Sequence, residues 1–306
     1  MSKSVLITGA HGFIGRNVAR HFADAGWTVA GIGHGLWAKE EWRQWGISDW
    51  RTADITLEAL ETYAGSPEII VHCAGSGSVG RSLSNPLEDF NRTVTTTAVV
   101  LEYMRLFNKD ARLVYPSSAA VYGSAGDHPI KEKDAVLPLS PYGYHKRMAE
   151  ELCESYARNF GLKITLIRFF SLFGKGLKKQ LLWDACNKFV CAESEVRFSG
   201  DGEETRDWVH IDDAARLIIR LSQTDGGFDI YNGGFGRRVT VREVLGLVAK
   251  AFGNKPAVHF SGITKKGDPK FYRADMEKTF SLDWKPVISL EEGIKEYVQW
   301  FQETRK

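Results

Sequence analysis

The sequence has little of what would place the protein in a membrane, on a nucleic acid or among secreted proteins. None of its apolar runs approaches the ~18 residues that cross a bilayer. Its formal net charge of +2 provides no strong field for a nucleic acid or an anionic membrane surface. Residues 1–10 enter a strand pattern at once, without the charged and apolar regions of a signal peptide, and this predicts a cytoplasmic location.

Cysteine is also scarce. The four cysteines show no Cys-x-x-Cys pair and no histidine at metal-ligand spacing, so we predict no metal site; they are Cys73, Cys153, Cys186 and Cys191. Of the eight histidines, His34 and His210 are the two retained as candidates for function.

What the chain does contain is an alternation of strand-like and helix-like segments, which predicts an α/β fold. Strand-like runs occur near Val5, Thr28, Ile69, Leu113, Lys163 and Asp229. We expect a Rossmann-type, doubly wound parallel sheet over residues 1–170, as a dinucleotide-binding domain. Beyond residue 170, prolines and glycines shorten the elements, which predicts a smaller C-terminal substrate-binding lobe over residues 171–306. Segments near 208–234 are expected to return to the first domain.

The first strand-like run leads into a glycine-rich turn. Gly9, Gly12 and Gly15 separate it from a helical pattern that begins near Arg16. Gly9 and Gly12 permit a tight turn and close approach of the backbone to a pyrophosphate, and Gly15 permits close packing of helix on strand. The spacing is Gly-x-x-Gly-x-x-Gly, and its strand–turn–helix context predicts dinucleotide binding.

Two further segments carry groups suited to proton transfer. Tyr142 and Lys146 are four residues apart on a predicted helix and share a face. An ammonium beside a phenol is expected to lower the phenol pKa from about 10. Ser117 and Ser118 end a buried strand, where ligands bind in open α/β sheets. Taken singly, the first pattern is more typical of an exposed helix face and the second of a polar turn.

Together the segments closely resemble the extended short-chain dehydrogenase/reductase family, in its nucleotide-sugar epimerase and dehydratase branch. The resemblance covers nearly the whole chain, through the segments TGAHGFIG, EIIVHCAG, SVGRSLSNPLEDF, SSAAVYG, YGYHK, RFFSLFGKG, GDGEETRDWVHIDD, TVREVLGLV and ADMEKTFSLDWKPVISLEEGI.

The resemblance implies a role for particular residues. Tyr142 would be the acid/base, Lys146 would hold the nicotinamide ribose, and Ser118 would bind the reacting sugar oxygen. The implied cofactor-binding residues are Gly9, Gly12, Phe13, Ile14, Gly15, His34, Asp54, Ile55, Ala74, Gly75, Tyr142 and Lys146. The implied substrate-binding residues are Ser78, Ser118, Ser171, Gln180, Arg206 and Lys266, with Lys265 as an alternative to Lys266. Arg206 would grip the nucleotide diphosphate; the alternative is a surface ion pair with Asp207.

Three departures from the family pattern bear on the reaction. Gly33, followed by His34, stands where the second strand usually ends in an acid that selects NAD, which leaves NAD and NADP both open. Ser171 and Thr93 each replace a common asparagine. Ala119 and Ala120 replace the Asp-Glu of the dehydratases, which argues against 4,6-dehydration because methyl groups cannot eliminate a hydroxyl.

The resemblance therefore implies an NAD(P)-dependent epimerase of a nucleotide-diphosphate sugar, acting at C4 through a 4-keto intermediate, with NAD favoured. The alternatives are an NADPH-dependent 4-ketoreductase and a non-catalytic cofactor-binding protein. Residues 87–107 and 142–159 are expected to pair in a homodimer through a four-helix bundle. The segment with Trp37, Trp42, Trp45 and Trp50 fits a core stripe, a cofactor-adjacent loop or a contact surface.

Overall fold

The computed structural model describes residues 3–192, 194–253, 256–263 and 270–305. The chain forms two compact units. The first consists of Met1–Gly123, Glu132–Phe169 and Ala215–Asn232, and the second of Ser124–Lys131, Phe170–Ala214 and Gly233–Lys306. The change of unit at Phe169 lies beside the boundary expected at residue 170, and part of the 208–234 segment lies in the first unit. The Ser124–Lys131 insertion into the second unit was not expected.

The first unit is built on a seven-stranded sheet with the order β11-β6-β5-β4-β1-β2-β3. Its strands are β1 Ser4–Thr8, β2 Thr28–Gly33, β3 Asp49–Thr52, β4 Ile69–His72, β5 Arg112–Ser118, β6 Lys163–Phe169 and β11 Phe228–Gly233. Each pairing from β6 through to β3 is parallel. The strand order reverses between β1 and β4, as in doubly wound sheets, so the predicted fold class is confirmed.

The central strands are apolar over most of their length because helices must cover a parallel sheet on both faces. All of β4 is buried, as are the first six residues of β5. The helices of the first unit are α1 Phe13–Asp24, α2 Lys39–Gln44, α3 Leu57–Tyr63, α4 Val79–Ser84, α5 Pro86–Phe90, α6 Thr96–Phe107 and α7 Pro141–Phe160. A π-helical turn, Asn91–Thr95, joins α5 to α6.

The second unit is made of short paired strands and helices. Its strands are β7 Ser171–Phe173, β8 Glu195–Phe198, β9 Thr205–Arg206, β10 Trp208–His210, β12 Val239–Thr240 and β13 Ala257–Phe260. Its helices are α8 Gln180–Cys191, α10 Val241–Ala251, α11 Glu277–Phe280 and α12 Leu290–Glu303, while α9 Ile211–Ser222 passes into the first unit. Aromatic contacts build its core: Trp183 packs edge-on against Phe301, with ring centroids 5.2 Å apart.

No helix within the described ranges has both the length and the apolar character needed to cross a bilayer. The cytoplasmic location stays a prediction.

Candidate active site

The loop between β1 and α1 fits a pyrophosphate. Gly9 has a φ of +67°, and a Cβ atom there would lie 2.6 Å from the backbone nitrogen of Ala74. A Cβ at Gly15 would overlap the carbonyl oxygen of Gly9. In α1, which the structure describes in full, Gly12 is the N-cap and no side chain caps the helix. The N–H groups of the first turn are thus available to an anion, which the helix dipole also favours.

The end of β2 carries a histidine–carboxylate pair where the sequence lacks the usual acid. The Nε2 atom of His34 lies 3.0 Å from an Asp54 carboxylate oxygen, and both side chains are 73% exposed. The His11 ring, from the glycine-rich loop, hydrogen-bonds to the backbone of His34. Two predicted cofactor residues are therefore brought together beside this loop.

The tryptophan segment combines two of the expected roles. Trp37 and Trp42 are buried, as a core stripe requires. Trp37 also lies against the glycine-rich loop, with its ring centroid 4.8 Å from that of His11 and 5.2 Å from that of Trp50. The segment is therefore both core and a wall beside the predicted cofactor loop.

The end of β4 lies next to the end of β1. Thr8 pairs with His72 in the sheet, and its hydroxyl is 2.7 Å from His72 Nδ1. The same hydroxyl accepts a hydrogen bond from the Ala74 backbone at 3.2 Å, which fixes the start of the Ala74–Gly75 turn. Burial lowers the pKa of His72 to about 3, so the imidazole is neutral here.

Ser118 and Tyr142 meet at the carboxyl end of β5. Ser140 caps α7 by accepting a hydrogen bond from the Gly143 backbone at 3.2 Å, and Pro141 takes the first helical position. This start places Tyr142 in the first turn of α7, where the Ser118 hydroxyl hydrogen-bonds to its phenol. The serine and tyrosine predicted to work together are thus in contact.

The expected lowering of the Tyr142 pKa by Lys146 is wrong for this structure. Burial raises the pKa of Tyr142, the hydrogen bond from Ser118 offsets part of that rise, and Lys146 is not among the causes. The Lys146 ammonium instead donates to the Tyr115 hydroxyl at 3.1 Å and to the Pro116 carbonyl at 3.0 Å. The spacing of Tyr142 and Lys146 predicted a shared helix face, but it could not show that Lys146 is hydrogen-bonded to residues of β5.

Tyr115 is a residue that sequence reasoning missed. Its ring centroid lies 4.5 Å from the Lys146 nitrogen and 5.7 Å from the centroid of the His72 ring, which stacks on it. Burial lowers the pKa of Lys146 to about 8. The sequence does show a tyrosine three residues before Ser118 on the same strand. The direction in which the Tyr115 side chain points could not be derived from one sequence.

A buried ion pair fixes α7 to the sheet below these residues. The Glu150 carboxylate lies 2.7 Å from an Arg168 nitrogen and accepts a hydrogen bond from Ser117 at 2.5 Å. All three side chains are buried. Ser117 therefore joins β5 to α7, which distinguishes it from its partly exposed neighbour Ser118.

In the second unit, Asp207 organises the segment that carries Arg206. Its carboxylate accepts backbone hydrogen bonds from Phe235 at 2.7 Å and from Gly236 and Ala274 at 3.0 Å. Asp207 is fully buried, and burial raises its pKa to about 6 although these amides act in the opposite direction. The reading of Arg206 and Asp207 as a surface ion pair is therefore wrong.

Two other predicted substrate residues, Ser171 and Gln180, belong to the second unit. The Ser171 backbone donates to the Asp207 carbonyl at 2.8 Å, next to Arg206 in the chain. Gln180 has a φ of +66°, a conformation that costs a non-glycine residue on the order of 1 kcal/mol or more and that clusters at functional sites. Lys266 and its alternative Lys265 lie outside the described residues.

His210, the other histidine retained as a candidate, is structural. It is buried, its ring packs edge-on against Phe173 at a centroid distance of 5.3 Å, and burial lowers its pKa. Among the residues that the structure describes, no cluster of three or more His, Cys, Asp or Glu side chains could hold a metal ion.

Comparison with known proteins identifies the family. The model of the NAD dependent epimerase/dehydratase family matches residues 5–234 of this chain. The chain belongs to this family. A UDP-glucuronate 4-epimerase from Thermodesulfobacterium geofontis is 31% identical over 314 residues, covering 97% of this chain and 96% of that protein.

Solved structures of family members superpose over nearly the whole chain. The UDP-glucose 4-epimerase of Thermotoga maritima with UDP-glucose has a TM-score of 0.87 at 26% identity, covering 99% of this chain and 100% of that one. The UDP-glucose 4-epimerase of Thermus thermophilus with NAD also has a TM-score of 0.87 at 26% identity, covering 98% and 99%. The family resemblance read from the sequence is confirmed.

Within the epimerase/dehydratase family, this chain departs at positions that the structure now locates. Ala119 and Ala120 form a short 3-10 turn directly after Ser118 and present only methyl groups there. Thr93, in place of asparagine, accepts a hydrogen bond from the Ser76 backbone at 3.4 Å.

Two other predicted site residues also have defined positions in the first unit. Ser78 caps α4 by accepting a hydrogen bond from the Arg81 backbone at 3.3 Å, and Ile55 is buried.

Proposed function

We propose that this protein is an NAD-dependent epimerase that inverts C4 of a nucleotide-diphosphate sugar through a transient 4-keto intermediate. The observation that carries the proposal is the contact between Ser118 and Tyr142 at the carboxyl end of β5, with Lys146 buried one helical turn along α7. The comparisons support it, because relatives that align over nearly the full length are named UDP-glucuronate and UDP-glucose 4-epimerases. We infer a UDP-sugar as substrate for the same reason.

NAD, when bound, accepts a hydride from the sugar and returns it. The glycine-rich loop and the amide groups of α1 would hold its pyrophosphate. The buried Lys146 ammonium would bind the nicotinamide ribose hydroxyls while Tyr115 and Pro116 keep it in place. These contacts leave the proton transfer to the side chains around C4.

Tyr142 acts as the base for the 4-hydroxyl, and Ser118 holds the oxygen that loses the proton. Because burial raises the Tyr142 pKa in the free chain, the phenolate needs positive charge supplied on binding. The cationic nicotinamide ring of NAD, when bound, would supply that charge. Once the sugar has turned, Tyr142 would return the proton to the C4 oxygen, which becomes the new 4-hydroxyl, while bound NAD would supply the hydride to the opposite face of C4.

For the substrate diphosphate we propose Arg206, whose guanidinium can bind phosphate oxygens through two parallel hydrogen bonds. The amides that hold Asp207 would fix the backbone beside it. Ser78, Ser171, Gln180 and Lys266 complete the proposed substrate set. Ala119 and Ala120 support epimerisation over 4,6-dehydration, since the position lacks an acid that could protonate a leaving hydroxyl.

The second candidate is an NADPH-dependent 4-ketoreductase, which Gly33 favours because it removes the acid that disfavours a 2′-phosphate. The two functions differ in redox balance. An epimerase leaves total NAD(H) unchanged, whereas a reductase consumes one NADPH for each sugar reduced.

We also propose a homodimer in which residues 87–107 and 142–159 pair with their copies across a two-fold axis. These segments expose apolar side chains that a monomer would leave in water, namely Leu87, Leu106, Phe107, Tyr144 and Met148. Light scattering should give twice the chain mass at micromolar concentration. Met148→Lys should shift that mass toward the monomer, and a monomeric parent protein would contradict the proposal.

The test of function is an assay with UDP-glucose, UDP-glucuronate and their C4 epimers. The parent protein should interconvert at least one pair, and Tyr142→Phe should reduce kcat by about a hundredfold or more because general acid–base catalysis is lost. Tyr144→Phe, the same change at an exposed position of α7, should retain the parent rate. Full activity of Tyr142→Phe would refute the assigned role.

A further inference from the structure

The ribose-recognition position of the cofactor site has no carboxylate of its own. In dinucleotide-binding folds an acid at the end of the second strand accepts a hydrogen bond from the adenosine 2′-hydroxyl. Here β2 ends in Gly33, which has no side chain, and the next residue is His34. Some other acceptor must satisfy that hydroxyl if the protein uses NAD, and in this respect the inference rests on the proposed function.

The backbone holds this position firmly against the glycine-rich loop. The Gly9 backbone donates to the Ile32 carbonyl at 2.7 Å, and the Ala53 backbone donates to the Gly33 carbonyl at 3.1 Å. A Cβ at Gly33 would lie 3.2 Å from the Gly9 Cα, so the strand end and the loop are in close contact. His34 is therefore the first side chain after β2 that can project beside the loop.

Asp54 determines which nitrogen of His34 can accept a hydrogen bond. The Nε2 atom lies 3.0 Å from an Asp54 carboxylate oxygen, which can only accept, so the proton of the neutral ring is held on Nε2. The Nδ1 atom is then left with its lone pair. An imidazole in this tautomer offers an acceptor of the kind that the missing acid would have provided.

We propose that His34, oriented by Asp54, accepts the hydrogen bond of the adenosine 2′-hydroxyl and so takes the place of the missing acid. The arrangement gives one acceptor without placing a formal negative charge on the residue that meets the ribose. A carboxylate at this point would repel a 2′-phosphate directly, whereas the Asp54 carboxylate lies at the Nε2 side of the His34 ring and would repel it less. The protein should therefore prefer NAD to NADP, but less strongly than an enzyme with the acid.

The test is calorimetric titration of the nucleotide-depleted protein with NAD and with its 2′-deoxyadenosine analogue. The parent protein should bind NAD about five- to tenfold more tightly than the analogue, as expected for one net hydrogen bond. In His34→Ala the two affinities should become equal within about twofold. His34→Asp should restore the preference for NAD over the analogue and increase the preference for NAD over NADP by about tenfold or more.

A matched control is His259→Ala, which removes another exposed histidine that faces a carboxylate, Glu195, at 3.6 Å. It should leave all three affinities unchanged. An unchanged preference for NAD over the deoxy analogue in His34→Ala would overturn the inference. Because no sugar is present, this result does not depend on epimerase activity: failure of NAD to bind at all would count against the proposed function instead.

Discussion

The buried imidazole of His72 should make the fold sensitive to acid. His72 ends β4, lies 2.7 Å from the Thr8 hydroxyl through Nδ1, and stacks on Tyr115. Burial, together with the nearby Lys146 ammonium, lowers its pKa to about 3. In the unfolded chain the pKa returns to about 6.5. The unfolded state therefore binds a proton between these two values while the folded state does not, and stability falls as the pH falls below 6.5.

The magnitude follows from the two pKa values. Between pH 7.5 and pH 5 nearly every unfolded molecule gains a proton at His72, which costs the folded state about 2 kcal/mol relative to the unfolded state. The figure depends little on the folded pKa, because at pH 5 a group that titrates near 3 or 4 is still neutral. It is a contribution to stability that is present above pH 6.5 and lost below it.

Urea unfolding followed by circular dichroism at pH 7.5 and pH 5 measures this contribution in His72→Asn. The variant loses stability at pH 7.5, since an amide replaces a well-packed ring, but it should lose about 2 kcal/mol less than the parent on acidification. Because His259 is exposed, His259→Asn should show the parent's pH dependence. An identical loss in His72→Asn and the parent would refute the reasoning.

Three further predictions concern α7, the glycine-rich loop and the lysine. Glu150→Gln leaves the buried Arg168 guanidinium without its anion and should lower the free energy of unfolding by about 3 kcal/mol or more, measured by urea titration. In the same measurement Glu151→Gln, at an exposed position, should change the free energy of unfolding by less than about 0.5 kcal/mol. Gly15→Ala should abolish the NAD binding measured by calorimetry, because the added methyl group overlaps the glycine-rich loop. Gly246→Ala lies within α10, where the added methyl group has open space, so it should leave NAD binding intact and raise the free energy of unfolding by up to about 1 kcal/mol. Since the pKa of Lys146 is lowered to about 8, kcat/KM should fall as the pH rises through that value, and a profile that is flat to pH 10 would contradict the requirement for its ammonium.

The sheet and the cofactor loop were predictable because local chemistry determines them. The short β-branched run at residues 69–71 is typical of a buried parallel strand, and Gly9 and Gly15 occupy points where a Cβ atom would meet backbone. The contact of Ser118 with Tyr142 also followed, since both lie at element ends that meet at the carboxyl edge of the sheet.

The contacts of the lysine could not be predicted, because they depend on side-chain directions between distant segments. Tyr115 meets Lys146 only through the packing of α7 on β5, 31 residues apart in the chain. The prediction that the Tyr142 pKa is lowered was wrong for the same reason. Helical spacing indicates which residues share a face, but it does not indicate how deeply the Tyr142 phenol is buried. The pairing of His34 with Asp54 likewise needs the register of β2 against β3.

The most direct test of the account is the fate of the C4 hydrogen when the protein acts on UDP-glucuronate or UDP-glucose in D₂O. Because the hydride would leave and return within the site, we predict a C4 epimer that carries no deuterium at C4, with no net change in nicotinamide absorbance at 340 nm. Deuterium at C4 of the epimer, stoichiometric consumption of NADPH, or the absence of any epimer from a panel of UDP-sugars would contradict it.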